Sequence, residues 1–350
     1  MYPALAVHAA LASKVSDVDT LWVGSEGGME EPLVKRRGIA YKSIPSAGLH
    51  GVGLAALPRN VKKLMRGYFA ARRILNDFKP DALFFTGGYV AAPMAVAGMS
   101  VPTLLYVPDI EPGMALKSLA RFSDAIAVTT GLSQKFFNKK VIETGYPLRS
   151  DLAVWDRETA NRHLNISSGK PVLLVFGGSK GARSINNAIL KDLNALLEKF
   201  ELIHLTGNLD WEHVRAHREQ LPMDLAARYH AMPYLHEMGA ALAAADLVVS
   251  RAGASTLGEF PLFGLPAALV PYPHAWRYQK VNADYLSNRG AAIILEDHIL
   301  NEELLNTLIV LIDNPNKLQA MRAAMFEMSH PRAAEKIADI LMKLAGEKKS

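Results

Sequence analysis

Four glycine-rich turns, each behind an apolar run, hold the residue types that could do chemistry here. They are Phe84–Pro93 (FFTGGYVAAP), Phe176–Asn186 (FGGSKGARSIN), Leu205–Asn208 (LTGN) and Ser250–Glu259 (SRAGASTLGE). Glycine lets a backbone approach an anion closely, and a helix starting just behind it offers unpaired N–H groups and positive dipole. Each turn reads as a phosphate cradle or as an ordinary strand-to-helix turn. Neither Gly-x-x-x-x-Gly-Lys-Ser/Thr nor an intact Gly-x-Gly-x-x-Gly occurs, so the usual ATPase and dehydrogenase fingerprints are absent. Ser179 could donate to a phosphate or cap the following helix. Glu259, early in a predicted helix, could take both hydroxyls of a ribose or merely favour the helix dipole. Arg149, after a Gly-Tyr-Pro-Leu turn, could neutralise a diphosphate or lie on the surface. Gln279 and Asn282, just past Pro-Tyr-Pro, suit sugar hydroxyls or a capping role. The 11 histidines form no HExxH-type pair, so no metal site is expected, and His204 and His230 read as packed or surface residues. With 0 cysteines, disulfides, thiol catalysis and thiolate metal sites are excluded.

The elements that must position these residues alternate between strand and helix. Buried strands are expected at Thr20–Gly24, Tyr41–Pro45, Asp81–Gly88, Thr103–Asp109 and Asp124–Thr130. A second series is expected at Pro171–Gly178, Glu201–Gly207, Tyr229–Tyr234, Asp246–Gly253, Pro266–Pro273 and Ala291–Leu295. Unbroken apolar runs alternating with helices predict parallel sheets covered on both faces. The 350 residues suffice for two doubly wound domains, 1–147 and 148–330, with a last helix in 331–350 that packs on either. Ligands of such sheets bind at the carboxyl ends of the strands. The chain opens on a helix, so a first strand and its loop are expected to be missing.

Half the residues are apolar and 21% are charged, which excludes a disordered chain. The net charge of +5 suits anionic partners and is weak for a nucleic-acid binder. No apolar run is long enough for a membrane span, and the N-terminus lacks the basic region of a signal peptide, so a cytoplasmic protein is expected. The segment Gly48–Leu75 mixes Leu54, Leu57, Leu64, Met65 and Phe69 with Arg59, Lys62, Lys63, Arg66, Arg72 and Arg73. That mixture suits a surface dipping into an anionic membrane, or a core-facing helix with a solvated basic face.

FGGSKGARSIN, SRAGASTLGEFPLFGLPAALVPYPHAWRYQKVNA and TGYPLRSD together resemble the MurG family of peptidoglycan glycosyltransferases, in glycosyltransferase family 28. YPALAVHAALA, WVGSEGGMEEPLVKRRGIAYKSIP and FTGGYVAAPMAVAG extend the resemblance over essentially the whole chain. It implies an α/β protein of GT-B fold, two doubly wound Rossmann-like domains facing a central cleft. It implies an inverting, metal-independent enzyme without cofactor. UDP-GlcNAc would be the donor and undecaprenyl-diphosphoryl-MurNAc-pentapeptide the acceptor. The implied location is the cytoplasmic face of the membrane, beside other cell-wall synthesis proteins. Residue by residue, Ser179 matches the serine of the nucleotide loop, Arg149 a contact to the UDP-sugar, and Leu235 the position whose backbone reads uracil. Ala254, Ser255, Thr256, Leu257 and Gly258 match the loop under the diphosphate, Glu259 the ribose partner and Gln279 the sugar-recognising glutamine. Thr86, Gly87, Gly88 and Tyr89 match the loop for the acceptor diphosphate. Gly48–Leu75 falls where the family touches the membrane.

Two departures stand out. The family opens with a strand and a Gly-x-Gly-Gly-His loop whose histidine is a proposed base; here Met1 stands just after that place. A GTG valine codon read as the start is the expected explanation, and an in-frame stop directly before Met1 would overturn it. The family's His-Glu-Gln-Asn appears as Tyr106-Val107-Pro108-Asp109, leaving Asp109 and Glu111 as local candidates for the base. Open alternatives are a transferase with another lipid-linked acceptor, a UDP-sugar epimerase, and a donor-binding protein without turnover.

Overall fold

Strands buried on both faces need apolar side chains at successive positions. Thr103–Val107 and Leu247–Ser250 are wholly buried in this way. Ala40–Ile44, overlapping the Tyr41–Pro45 run expected to be buried, instead exposes three of its five residues because it pairs on one side only. The computed structural model describes residues 1–28, 30–48, 57–178, 181–273 and 278–346. The chain forms two units, Met1–Leu148 with Arg332–Ser350, and Arg149–Pro331.

The first unit runs α1 (Tyr2–Lys14), β1 (Leu21–Ser25), α2 (Glu31–Arg36), β2 (Ala40–Ile44), α3 (Leu57–Phe78), β3 (Leu83–Phe85) and α4 (Ala91–Ala97). It continues with β4 (Thr103–Val107), α5 (Met114–Leu119), β5 (Ala125–Val128) and β6 (Val141–Glu143). Pairing is parallel in two groups, β1-β2 and β3-β4-β5-β6. Helices cover both groups. From α1, Leu5 packs with Val34 and Ile39, while Val7 meets Leu104, Tyr106 and Ala127. From α3, Ala71 and Ile74 share a core with Ile44, Leu83 and Phe85. Strand β6 was not foreseen: it is a short edge strand with two of its three side chains exposed, so it leaves no apolar run.

The second unit runs α6 (Arg157–Leu164), β7 (Val172–Phe176), α7 (Arg183–Lys191), α8 (Leu193–Lys199), β8 (Glu201–Leu205), α9 (Trp211–Arg218), α10 (Met223–Ala226) and β9 (Tyr229–Met232). It continues with α11 (Met238–Ala244), β10 (Leu247–Ser250), α12 (Thr256–Phe263), β11 (Ala267–Leu269), α13 (Tyr278–Ser287), β12 (Ala292–Ile294), α14 (Leu300–Ile312) and α15 (Pro315–Glu327). Its parallel sheet has the order β12-β11-β10-β7-β8-β9. Helix α6 starts where the Asp156 carboxylate accepts the Thr159 N–H, and it ends on Asn165 at φ 57°. The last helix, α16 (Ala333–Gly346), returns to the first unit, where Ile337 and Leu341 join the core of Leu104 and Tyr106.

Strands are shorter than their apolar runs. Asp81–Gly88 and Pro266–Pro273 each contain a strand of three residues, Leu83–Phe85 and Ala267–Leu269. The residues behind each strand, Thr86–Gly88 and Pro271–Pro273, form loops at the carboxyl end of the sheet.

Candidate functional site

Strand order in the second unit reverses between β7 and β10, and the turns behind these two strands flank that point. Crevices of doubly wound sheets form at such places. The turn behind β7 holds Gly178 at φ +95° and Gly181 at φ +80°. A Cβ on Gly181 would lie 2.1 Å from the carbonyl oxygen of Thr206. Ser179, assigned to the phosphate, lies outside the described residues.

A buried polar chain holds that carbonyl. The Asn186 amide donates to Thr206 O at 2.9 Å and to Asp210 Oδ2 at 3.0 Å. With both its N–H groups used, Asn186 turns Oδ1 toward His204 Nε2 at 3.0 Å, while His204 Nδ1 meets the Tyr229 hydroxyl at 2.8 Å. His204 is thus the neutral tautomer with Nε2–H donating and Nδ1 accepting. Burial pushes its pKa down from 6.5 to about 3. Below pH 6.5 the unfolded chain binds a proton that the native fold refuses until about pH 3. This contribution to stability is complete above pH 6.5 and is lost as pH falls toward about 3. Denaturant titrations of His204→Gln should show an acid limb shallower by about one proton over that range. An unchanged slope would mean that His204 ionises inside the fold.

The turn behind β10 leads into α12. Thr256 Oγ1 donates to Gly253 O at 2.7 Å, and the Glu259 N–H donates to Ser255 O at 2.8 Å. Thr256, Leu257 and Gly258 are buried; Ala254, Ser255 and Glu259 retain part of their exposure. The Glu259 carboxyl accepts a bond from the Ser255 side chain and feels the charge of Arg149. Both favour the carboxylate, yet loss of solvent outweighs them and pushes the pKa up to about 7. Arg149, mostly buried, also pairs with Asp151 at 3.3 Å. Sequence positions 110 residues apart thus come within electrostatic reach of one another.

Gln279 lies in the first turn of α13, where its Oε1 accepts the Tyr272 N–H at 2.9 Å. Asn282 is fully buried and donates to Ala252 O at 3.2 Å. This bond ties α13 to the β10 turn. Leu235 is half-buried between β9 and α11, flanked by exposed Tyr234 and His236. His230, near the other end of β9, binds the buried Glu201 at 2.8 Å and is structural.

Arg251 escaped the sequence reading. Its guanidinium donates to Asp297, to Val270 O at 3.1 Å and to Ser184 Oγ at 2.7 Å, and it lies 5.2 Å from the Tyr272 ring centroid. An arginine directly behind a fully buried strand was the available signal, since such a charge must find partners.

In the first unit, Thr86–Tyr89 follow β3, with Gly87 at φ +103° and Gly88 at φ +91°. Tyr89 is exposed and Leu116 of α5 packs over Gly87. Asp109 and Glu111 follow the neighbouring strand β4; Glu111 is buried and Asp109 half-buried. Tyr106 is fully buried and its hydroxyl lies 2.7 Å from that of Thr129, which donates to Pro108 O at 2.7 Å. This tyrosine is a packing and anchoring residue.

Helix α3 turns Gly67, Ala71 and Ile74 inward and leaves Val61 (46%), Met65 (59%) and Phe69 (63%) exposed on one face at four-residue spacing. Arg59, Lys62, Lys63, Arg66, Arg72 and Arg73 are exposed around them. Leu64 is half-buried, and residues 49–56 with the Leu57 side chain lie outside the description. Among the described residues, no helix is long and apolar enough to cross a membrane, and no three His, Asp or Glu side chains group as metal ligands.

Residues 1–128 match the glycosyltransferase family 28 N-terminal domain and residues 172–337 the glycosyltransferase family 28 C-terminal domain. A relative from Roseiflexus sp. (strain RS-1) is 38% identical over 97% of this chain and 91% of its own length. The chain belongs to glycosyltransferase family 28. That relative is named UDP-N-acetylglucosamine--N-acetylmuramyl-(pentapeptide) pyrophosphoryl-undecaprenol N-acetylglucosamine transferase. A protein of the same name from Desulforudis audaxviator (strain MP104C) is 38% identical over 99% of this chain and 95% of its own. Among solved structures of the family, MurG of Acinetobacter baumannii is similar with a TM-score of 0.76 and 27% identity, covering 98% of this chain and 95% of the other. The fold of this family 28 member is GT-B, with a Rossmann-like α/β unit in each half.

Proposed function

We propose that this chain moves N-acetylglucosamine from UDP-N-acetylglucosamine to undecaprenyl-diphosphoryl-N-acetylmuramyl-pentapeptide, with inversion and without a metal ion. The observation that carries the reading is 38% identity along nearly the whole chain to transferases named for this reaction. The joining of Arg149, Glu259 and the Gly253–Gly258 turn at the switch point supports it.

In the donor unit, Glu259 accepts from the ribose hydroxyls, the backbone of Leu235 reads uracil, and Gln279 addresses the sugar. Ala254, Ser255, Thr256, Leu257 and Gly258, with Arg149 and Ser179, balance the charge of the diphosphate. The Thr86–Tyr89 turn receives the acceptor diphosphate. The acceptor hydroxyl oxygen attacks the anomeric carbon as the bond from that carbon to the β-phosphate oxygen breaks. The electron pair leaves with UDP, and the hydroxyl proton passes to a base. Asp109 and Glu111 are the carboxylates assigned to this step. Asp109→Asn and Glu111→Gln, made separately, should show which of them lowers kcat with KM for donor unchanged.

The apolar stripe of α3, ringed by cations, supports peripheral attachment to an anionic bilayer at the cytoplasmic face, where the chain would serve peptidoglycan synthesis and so cell shape and division. Burying a Met or Phe side chain is worth about 1.5–3 kcal/mol. Met65→Ser with Phe69→Ser should therefore weaken sedimentation with anionic vesicles by roughly a hundredfold or more. Equal binding of the double variant would remove α3 from the contact.

The deciding assay follows labelled N-acetylglucosamine from UDP-N-acetylglucosamine to the lipid acceptor, with and without EDTA. Equal amounts of UDP and lipid-linked disaccharide, unaffected by EDTA, are expected. Donor binding without transfer, or transfer only to another lipid, would overturn the reading.

A further inference from the structure

We propose that Tyr272 is a specificity-determining residue, its aromatic face being the platform for the apolar face of the transferred hexosamine. The inference rests on the donor-site reading above and deepens it. Tyr272 stands three residues beyond β11, at the same end of the sheet as the Gly253–Glu259 turn. Val270 and Pro271 before it are buried, yet Tyr272 is 44% exposed. An aromatic ring left half in solvent on a buried stem suits a ligand with both apolar and polar edges.

The ring is seated. One face lies over the Arg251 guanidinium, 5.2 Å from it. That guanidinium cannot swing away, because Asp297, Val270 O and Ser184 Oγ accept its N–H groups, and Ser184 Oγ in turn donates to Asp297 at 2.7 Å. The same residue orients the amide assigned to the sugar. The Tyr272 N–H donates to Gln279 Oε1 at 2.9 Å, so the Gln279 carboxamide offers its NH2 end as a donor. Asn282 holds the helix bearing Gln279 to Ala252 in the β10 turn. A pyranose carries C–H groups on its faces and hydroxyls on its rim. A flat ring beside an oriented amide donor matches that pattern and offers nothing comparable to a bare diphosphate.

The test is calorimetric titration of UDP and UDP-N-acetylglucosamine into the full chain, Tyr272→Phe, Tyr272→Leu and Tyr272→Ala, with a melting curve for each. Tyr272→Phe should bind both ligands as the parent does. Tyr272→Ala and Tyr272→Leu should lose about tenfold in affinity for UDP-N-acetylglucosamine while UDP stays within about twofold. An equal loss for both ligands would overturn the proposal and leave Tyr272 as a prop for Arg251; no loss for either would also overturn it. A parent chain that binds neither ligand would overturn the donor-site reading itself, which sets the two failures apart.

Discussion

Replacing Glu259 with alanine should raise the KM for UDP-N-acetylglucosamine by about a hundredfold or more, because in the proposed donor site two hydroxyl groups lose a charged acceptor worth about 1.5–3 kcal/mol per bond. Glu259→Gln keeps one acceptor oxygen without the charge and should fall between. Acidity separates this role from simple packing. Burial raises the carboxyl from 4.5 to about 7, despite the Ser255 bond and the charge of Arg149. The native protein therefore holds a proton between those pH values that the unfolded chain has released. The associated stability is present at low pH and is lost as pH rises through about 7. Donor binding runs the opposite way, since the carboxylate is the better acceptor for two hydroxyls. Donor affinity should improve as pH rises through about 7, and Glu259→Gln should flatten that limb. Removing Arg149 takes away a charge that favours the carboxylate and should move the limb to higher pH. Unchanged donor KM in Glu259→Ala, measured from pH 6 to 8, would take the residue out of the site.

Gly181→Val should abolish measurable UDP binding and lower the melting temperature. The native φ of +80° is one that a β-branched residue rarely adopts, at a cost of about 1–3 kcal/mol. Its Cβ would also stand 2.1 Å from Thr206 O, a backbone atom held by buried Asn186, so relief requires moving the turn. A loss of about 2–3 kcal/mol in a domain of this size corresponds to roughly 4–12 °C in melting temperature. Scanning calorimetry with a UDP titration tests both parts. Wild-type UDP affinity in Gly181→Val would show that the β7 turn does not shape the nucleotide site.

The strands of the second unit were legible because burial on both faces leaves a run such as Val172–Phe176 no polar position. Glu259 and Gln279 were legible as polar residues at the expected ends of such runs. The short edge strand β6 was not, since exposed side chains erase the apolar signal. For Asn282 the residue type alone left its partner open. An amide looks the same in a sequence whether it faces a ligand or a backbone carbonyl, and Ala252 O lies 30 residues away along the chain.

By itself the sequence determined most element types, the amphipathic character of α3 and the absence of thiol chemistry, because hydrophobic period and residue type are local properties. Only the tertiary structure decided that β7 lies beside β10 and not β9, which sets the switch point and the two turns around it. It alone brought Arg251 to Ser184 and Asp297, separated from it by 67 and 46 positions, and Glu259 to Arg149. Parallel pairing joins strands distant in the chain. The partners of a buried charge, and the pKa of a carboxyl placed among them, are therefore written in strand order and not in residue spacing.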